Sequence, residues 1–391
     1  MIDPERDTPP LLSEFGASGK LPPAEEIFLE TTAAAGDGAA VANSPPAPPP
    51  RPPGPGIWES LAWMAGVHVI QTVAFVVAGA ILVGASLSAM DERTIDQLLH
   101  DLTDSNAMMA AGAGLFSDHL LYLAAATQAA TLIYALAALR LRCGRTGLER
   151  LGWQPPSVGH WLLVVLLVVP LQALCGRLHE VLADFMPGSG QQYAETMEDL
   201  ARAPLPLLML LIAVGPAIAE ELLFRGLIGR GLVARWGLVR GVVLTSIFFG
   251  IVHVNPGQAL AVMPMGVAMH FVYVTTRSMW APITLHLLFN GVAAVVLKFG
   301  LDSAVASIPN HVLTASAAMV TAVALLLWQT RVQYRLPDGT IWSPGYVSVE
   351  VPPAEIGAIP VRQVPRFLLL AGSMINSLGF VAVLWRLASA W

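Results

Sequence analysis

The stretch Ala219-Glu220-Glu221-Leu222-Leu223-Phe224-Arg225-Gly226 places two adjacent carboxylates inside a long apolar run. An ionised group at the centre of a bilayer costs roughly 2.5–3.5 kcal/mol on insertion scales, so it persists only with a partner or a task. Glu221 and Arg225 are spaced i,i+4 with the acid first, the order that favours pairing on a helix. Adjacent helical residues point about 100° apart, so Glu220 faces elsewhere and lacks that partner. A carboxylate in a poorly solvated place can take and give protons near neutral pH. The plainer reading is an acidic pair at the membrane interface, beside a basic turn.

Two later stretches supply groups that could act with Glu220. In Phe249-Gly250-Ile251-Val252-His253 an imidazole sits on an apolar helix with Phe249 one turn before it. If the hairpin turn falls at Trp236-Gly237, Glu220 and His253 each lie about sixteen residues from it, and antiparallel helices set them at one depth. In His286-Leu287-Leu288-Phe289-Asn290 an imidazole and an amide share a helix face, from which they can aim donors at a developing oxyanion. An interhelical clamp would use the same pair. His286 is only some seven residues from its own turn, so straight helices would not bring it level with His253. Kinks at Pro264 or Pro282, or tilted helices around a cytoplasm-facing cavity, would be needed. His68, Gln71, His119, Gln128, His160, Gln172 and His270 share no spacing and read as interface or packing residues.

The elements that must position these groups are membrane helices. Hydrophobic residues make up 55% of the chain and charged ones 12%, where soluble domains carry about 25% charged. Mean hydropathy is +0.63. Nine apolar segments are near the length of about 20 residues that spans a bilayer: 57–88, 118–141, 159–178, 205–232, 240–254, 258–276, 281–299, 311–329 and 366–390. Arg140, Arg142, Arg145 and Arg150 mark the loop after the second as cytoplasmic. Alternation then puts Arg230, Arg235, Arg240, Arg277, Arg331 and Arg335 on that side too, while Asp91, Glu92, Glu180 and Glu195 face the other.

The expected organisation has six parts: a disordered Pro-rich cytoplasmic tail over 1–56, helices over 57–200, a core over 201–300, a helix over 301–330, a β-rich insert over 331–365, and a last helix over 366–391. The tail's run Pro45–Pro53 reads as an extended linker, and it could also dock on an SH3-like or WW-like partner. It shows no basic region followed by an apolar one, so no cleavable signal peptide is expected. In the insert, alternation at Val332, Tyr334 and Leu336 and again at Val347, Val349 and Val351, around Pro337-Asp338-Gly339, predicts a small β-meander that caps the membrane helices. Cys143 and Cys175 are too far apart along the helices to pair and read as free thiols. The net charge of −6 and the lack of a basic surface exclude nucleic acid as a partner.

Glu220-Glu221-x-x-x-Arg225, Phe249-x-x-x-His253 and His286-x-x-x-Asn290, flanked by Phe224-Arg225-Gly226 and Trp280-Ala281-Pro282, resemble the three motifs of the type II CAAX prenyl endopeptidase and bacteriocin-processing family. The resemblance covers about residues 205–300. It implies a glutamate-dependent intramembrane protease with a multi-helix core; together with the apolar segments above, the expected fold is all-α and polytopic with about nine transmembrane helices. Under it, Glu220 with His253 would activate water, His286 with Asn290 would stabilise the oxyanion, and Arg225 would fix Glu221. The expected substrate is a membrane-associated peptide or protein, prenylated or not, met in the bilayer of a bacterial cytoplasmic (inner) membrane. No cofactor is implied. Zinc on one Glu and two His is the chemical rival, although no His-Glu-x-x-His helix is present. A non-proteolytic scaffold, an immunity protein or a transporter is the rival in function.

Overall fold

Leucine, valine, isoleucine and alanine fill stretches that fold as helices in the computed structural model, which describes residues 53–101, 105–186, 197–253, 255–301 and 308–361. The helices are α1 (Ile57–Ser88), α2 (Glu92–Asp101), α3 (Ser105–Glu149) and α4 (Val158–Phe185). They continue with α5 (Leu205–Trp236), α6 (Leu238–Ile251), α7 (Pro256–Thr276), α8 (Trp280–Phe299) and α9 (Asn310–Gln329). In a bilayer no water serves stray N–H and C=O groups, so segments that bond internally are the stable solution. Among the described residues seven helices are long and apolar enough to cross a membrane, and α6 is an eighth, shorter apolar helix. The chain is a multi-pass membrane protein. The tail up to residue 52 and the ninth apolar segment lie outside the described residues.

Burial separates a centre from a rim. Every residue of α5 from Glu221 to Val233 is buried, against α3, α6, α7 and α8. Only Ser60, Met64 and Val67 are buried on α1, and its Val69, Val76 and Ile81 are exposed where lipid would lie. Polar clamps hold that outer helix: Tyr134 donates to the Trp63 carbonyl at 2.9 Å, and Gln71 Nε2 to Thr131 Oγ1 at 3.1 Å. His160 does the same for α4, meeting the Thr330 carbonyl at 3.0 Å. Cys143 and Cys175 are both free.

The arginine-bearing ends gather on one face. Arg142 donates to the Gly54 carbonyl at 3.0 Å and Arg235 to that of Pro55 at 3.1 Å. Arg230 donates to the Gly147 carbonyl at 3.0 Å. The α5–α6 turn falls at Gly237, whose φ of 77° suits glycine.

The insert leans on this basic face but is not the expected meander. Strand β1 (Gln333–Arg335) pairs antiparallel with β2 (Ile359–Val361), Gln333 opposite Val361 and Arg335 opposite Ile359. Val347, Val349 and Val351 form no strand, because helices take the backbone groups a strand would need. Arg277 donates to the carbonyls of Ser348 and Glu350, and Val351 N–H donates to the Arg150 carbonyl at 3.1 Å. Val349 and Glu350 are therefore buried in succession, where alternation would expose one of them.

Candidate active site

α5 leaves regular α geometry twice, in π turns at Leu210–Val214 and Leu222–Gly229. Such turns recur at functional sites, and here they flank Glu220 and Glu221. Glu221 is fully buried, and its Oε1 accepts from Arg225 Nη1 at 2.8 Å, as the i,i+4 spacing requires. Arg225 is also fully buried; its Nη2 donates to the Gly266 carbonyl at 3.0 Å, and its guanidinium lies 4.9 Å from the centre of the Phe249 ring. An unpaired charge here would cost several kcal/mol.

His286 joins the same carboxylate. Its Nδ1 lies 2.9 Å from Glu221 Oε1. An ionised carboxylate only accepts, so Nδ1 carries the proton, leaving Nε2 directed towards Glu220 at 3.9 Å from its Oε2. That distance exceeds a hydrogen bond. Glu220 Oε2 is buried with no hydrogen-bond partner among the described residues, and the Glu220 side chain as a whole is 21% exposed. Glu221 Oε2 is likewise buried without a partner, so the two differ in that Glu221 accepts twice through Oε1 and Glu220 makes no hydrogen bond among the described residues.

The loop before α8 helps to set the depth of His286. Leu151 packs on Gly226. From the same loop, Gly152 and Trp153 accept from Met279 N–H at 2.8 Å and Trp280 Nε1 at 2.9 Å. α8 therefore begins level with Gly226, ten residues short of the α5 end at Trp236. Glu221 lies five residues inward from Gly226, and His286 six from Trp280.

His253 follows the end of α6. Its Nδ1 meets the Phe249 carbonyl at 2.8 Å. A carbonyl only accepts, so Nδ1 carries the proton and Nε2 keeps a lone pair. The Phe249 ring lies edge-on to His253 at 5.1 Å, to His286 at 5.9 Å and to Phe224 at 5.3 Å. Phe249 is the wall that both imidazoles share. Among the described residues no hydrogen bond or ion pair joins His253 to Glu220. A 14-residue α6 is about 21 Å long, short of a roughly 30 Å hydrocarbon core. The irregular turn carrying His253 thus sits at membrane depth, where such backbone persists only inside protein or beside a water-filled cavity.

Asn290 has a backbone partner of its own. Its Nδ2 donates to the Ile212 carbonyl at 2.9 Å. Pro216 has no N–H to offer the carbonyl one turn back, and Asn290 supplies the missing donor. The amide keeps a second N–H. Of the scattered polar residues, Gln172 Nε2 donates to the Phe289 carbonyl, and His270 is fully buried against Gly229. Among the described residues no three His, Cys, Asp or Glu side chains are grouped to hold a metal ion.

Glu350 is the residue the motifs did not point to. It is buried beside Arg230, which donates from Nε, and lies 3.5 Å from Arg150 Nη1. The cue available in sequence was an acid among valines in an insert facing an arginine-rich side.

Residues 202–292 match the family model described as "Type II CAAX prenyl endopeptidase Rce1-like". This stretch of the chain is similar to that family. It contains Glu220, Glu221, Arg225, Phe249, His253, His286 and Asn290. Over 103 residues the chain is 29% identical to the Bacillus subtilis (strain 168) protein named "Putative membrane peptidase YdiL", a stretch that is 26% of this chain and 42% of that protein. The chain thus spans about two fifths of the length of that curated relative. No solved structure matches it. Both similarities are to peptidases by description, and the first coincides with the site.

Proposed function

We propose that the protein is an intramembrane endopeptidase that hydrolyses a peptide bond of a membrane-associated peptide or protein. One observation carries this reading: Glu220, its Oε2 buried, makes no hydrogen bond among the described residues, beside a Glu221 whose Oε1 is held by both Arg225 and His286. Glu220 takes a proton from water, and the Nε2 lone pair of His253 accepts the water's other hydrogen and aims its oxygen. Attack on the scissile carbonyl forms a tetrahedral oxyanion. His286, held through Nδ1 by Glu221, donates to it from Nε2, and the second N–H of Asn290 donates as well. Collapse breaks the C–N bond, and protonated Glu220 returns its proton to the leaving amine.

The substrate we favour is a peptide near the membrane surface, and lipid modification is compatible with the apolar walls of the site. The similarity to prenyl endopeptidases supports a processing reaction, and the Bacillus relative supports a bacterial membrane as its setting. The test compares the membrane proteome of cells carrying the wild type with that of cells carrying Glu220→Gln or His253→Ala. Uncleaved precursors should accumulate in both variants while each protein still inserts. A full phenotype retained by both would make the protein a scaffold. Activity lost to a chelator and restored by zinc would replace this mechanism with a metal-dependent one.

A further inference from the structure

The basic face holds a second place where charge is left over. Where α7 ends against the insert, two adjoining cavities of about 170 Å³ and about 520 Å³ share Arg277, Trp342, Val347 and Ser348 as walls. The smaller one also reaches Arg331, Trp328 and the apolar side chain of Val274. Arg142, Arg150, Arg225 and Arg230 each face a carboxylate. Among the described residues Arg277 and Arg331 face none within ion-pair distance. Arg277 spends Nη1 on the carbonyls of Ser348 and Glu350, and its Nε is buried without a partner. Arg331 donates from Nη1 to the Trp328 carbonyl at 2.7 Å and stacks over the Trp328 ring at 4.5 Å.

Two further facts bear on what these cations meet. Arg277 ends α7 with φ 52°, the one non-glycine residue with positive φ among those described. Glycine is the usual occupant of that position, so the arginine side chain is retained against a backbone preference. Burial also holds its guanidinium below the usual arginine range, which a nearby anion would reverse. Tryptophans at the end of a membrane helix mark headgroup level, and guanidinium forks match phosphate oxygens.

We propose that Arg277 and Arg331 bind the phosphate of an acidic phospholipid in this cavity, with its glycerol and first methylenes against Val274 and Trp342. The shared chemistry is a phosphate group, and the lipid is the source the apolar wall favours. Native mass spectrometry of the detergent-purified full chain, titrated separately with phosphatidylglycerol, phosphatidylcholine and inorganic phosphate, tests it. Phosphatidylglycerol should bind wild type at least about tenfold more tightly than phosphatidylcholine. Arg331→Gln, whose side chain bonds only one carbonyl, should lose about tenfold to a hundredfold of that affinity, the worth of one charge-assisted hydrogen bond. Arg277→Gln should lose as much or more, and if it fails to fold Arg331→Gln decides alone. Equal retention of both lipids, or unchanged phosphatidylglycerol binding in Arg331→Gln, overturns the proposal. Binding of inorganic phosphate as tight as that of phosphatidylglycerol overturns the lipid as occupant.

Discussion

Two buried carboxylate–arginine centres can be compared within this one chain. In the membrane, Glu221 is held by Arg225 and His286, with the glutamate and the arginine fully buried. At the basic face, Glu350 is held by Arg230 and Arg150, the latter side chain 35% exposed. In both, Oε1 of the glutamate meets an arginine while Oε2 is buried without a hydrogen bond. They differ in what stands beside them. Next to Glu221 is Glu220, a second carboxylate that makes no hydrogen bond among the described residues, with two imidazoles around one phenyl ring. A buried ion pair by itself is weak evidence of function, because its net contribution to stability is small. A neighbouring carboxylate without a hydrogen bond is what the second centre lacks, and the proposed chemistry rests on it.

The comparison breaks most decisively at Glu220. Glu220→Gln keeps shape and volume, so peptide cleavage should fall by about 10²–10⁴, the range of a positioned acid–base group, with an unchanged unfolding midpoint in detergent. Equal cleavage by this variant would mean that the leftover carboxylate carries no chemistry. Next in size is Arg225→Leu, which strands Glu221 in the interior and should cost about 4 kcal/mol of stability, read as a large drop in the thermal midpoint. The double variant Arg225→Leu/Glu221→Leu should recover much of that stability yet stay inactive, because His286 has lost the carboxylate that orients it.

Glu350→Gln at the other centre should cost about 3 kcal/mol, because Arg230 is left buried without its counter-ion. Here the double variant Glu350→Leu/Arg230→Leu should restore stability and activity together. Inactivity of that double variant would erase the distinction between the centres. The smallest effect tests the packing behind α5. A methyl group at Gly229 would meet the His270 ring at 2.2 Å, so Gly229→Ala should cost about 1–3 kcal/mol. A midpoint shift without a change in the pH dependence of cleavage would assign His270 to packing.

Much of this was legible in the chain. Apolar runs gave eight helices among the described residues, arginine placement marked the ends that share a face, and i,i+4 spacing paired Glu221 with Arg225. The failures are instructive. Alternation at Val347–Val351 mimicked a strand because periodicity carries no information on who takes the backbone hydrogen bonds, and here Arg277 and Arg150 take them. The depth of His286 was not legible by counting from turns, which treats every helix as ending at one plane, whereas α5 continues past Gly226 to Trp236. The partner of Asn290 follows from Pro216, but only once α5 and α8 are known to touch.

By itself the sequence determined that the chain spans a membrane and that Glu221 would be the glutamate paired with Arg225, and it named the residues that are candidates to move protons there. Those properties rest on local spacing and composition, which the chain carries with it. Only the tertiary structure decided that His286 bonds Glu221 and faces Glu220, that Asn290 serves a carbonyl freed by a proline, and that Glu350 closes over Arg230. Each joins residues 65 or more positions apart. Such contacts depend on how far each helix overhangs its neighbour and which face it presents, and no local pattern encodes either.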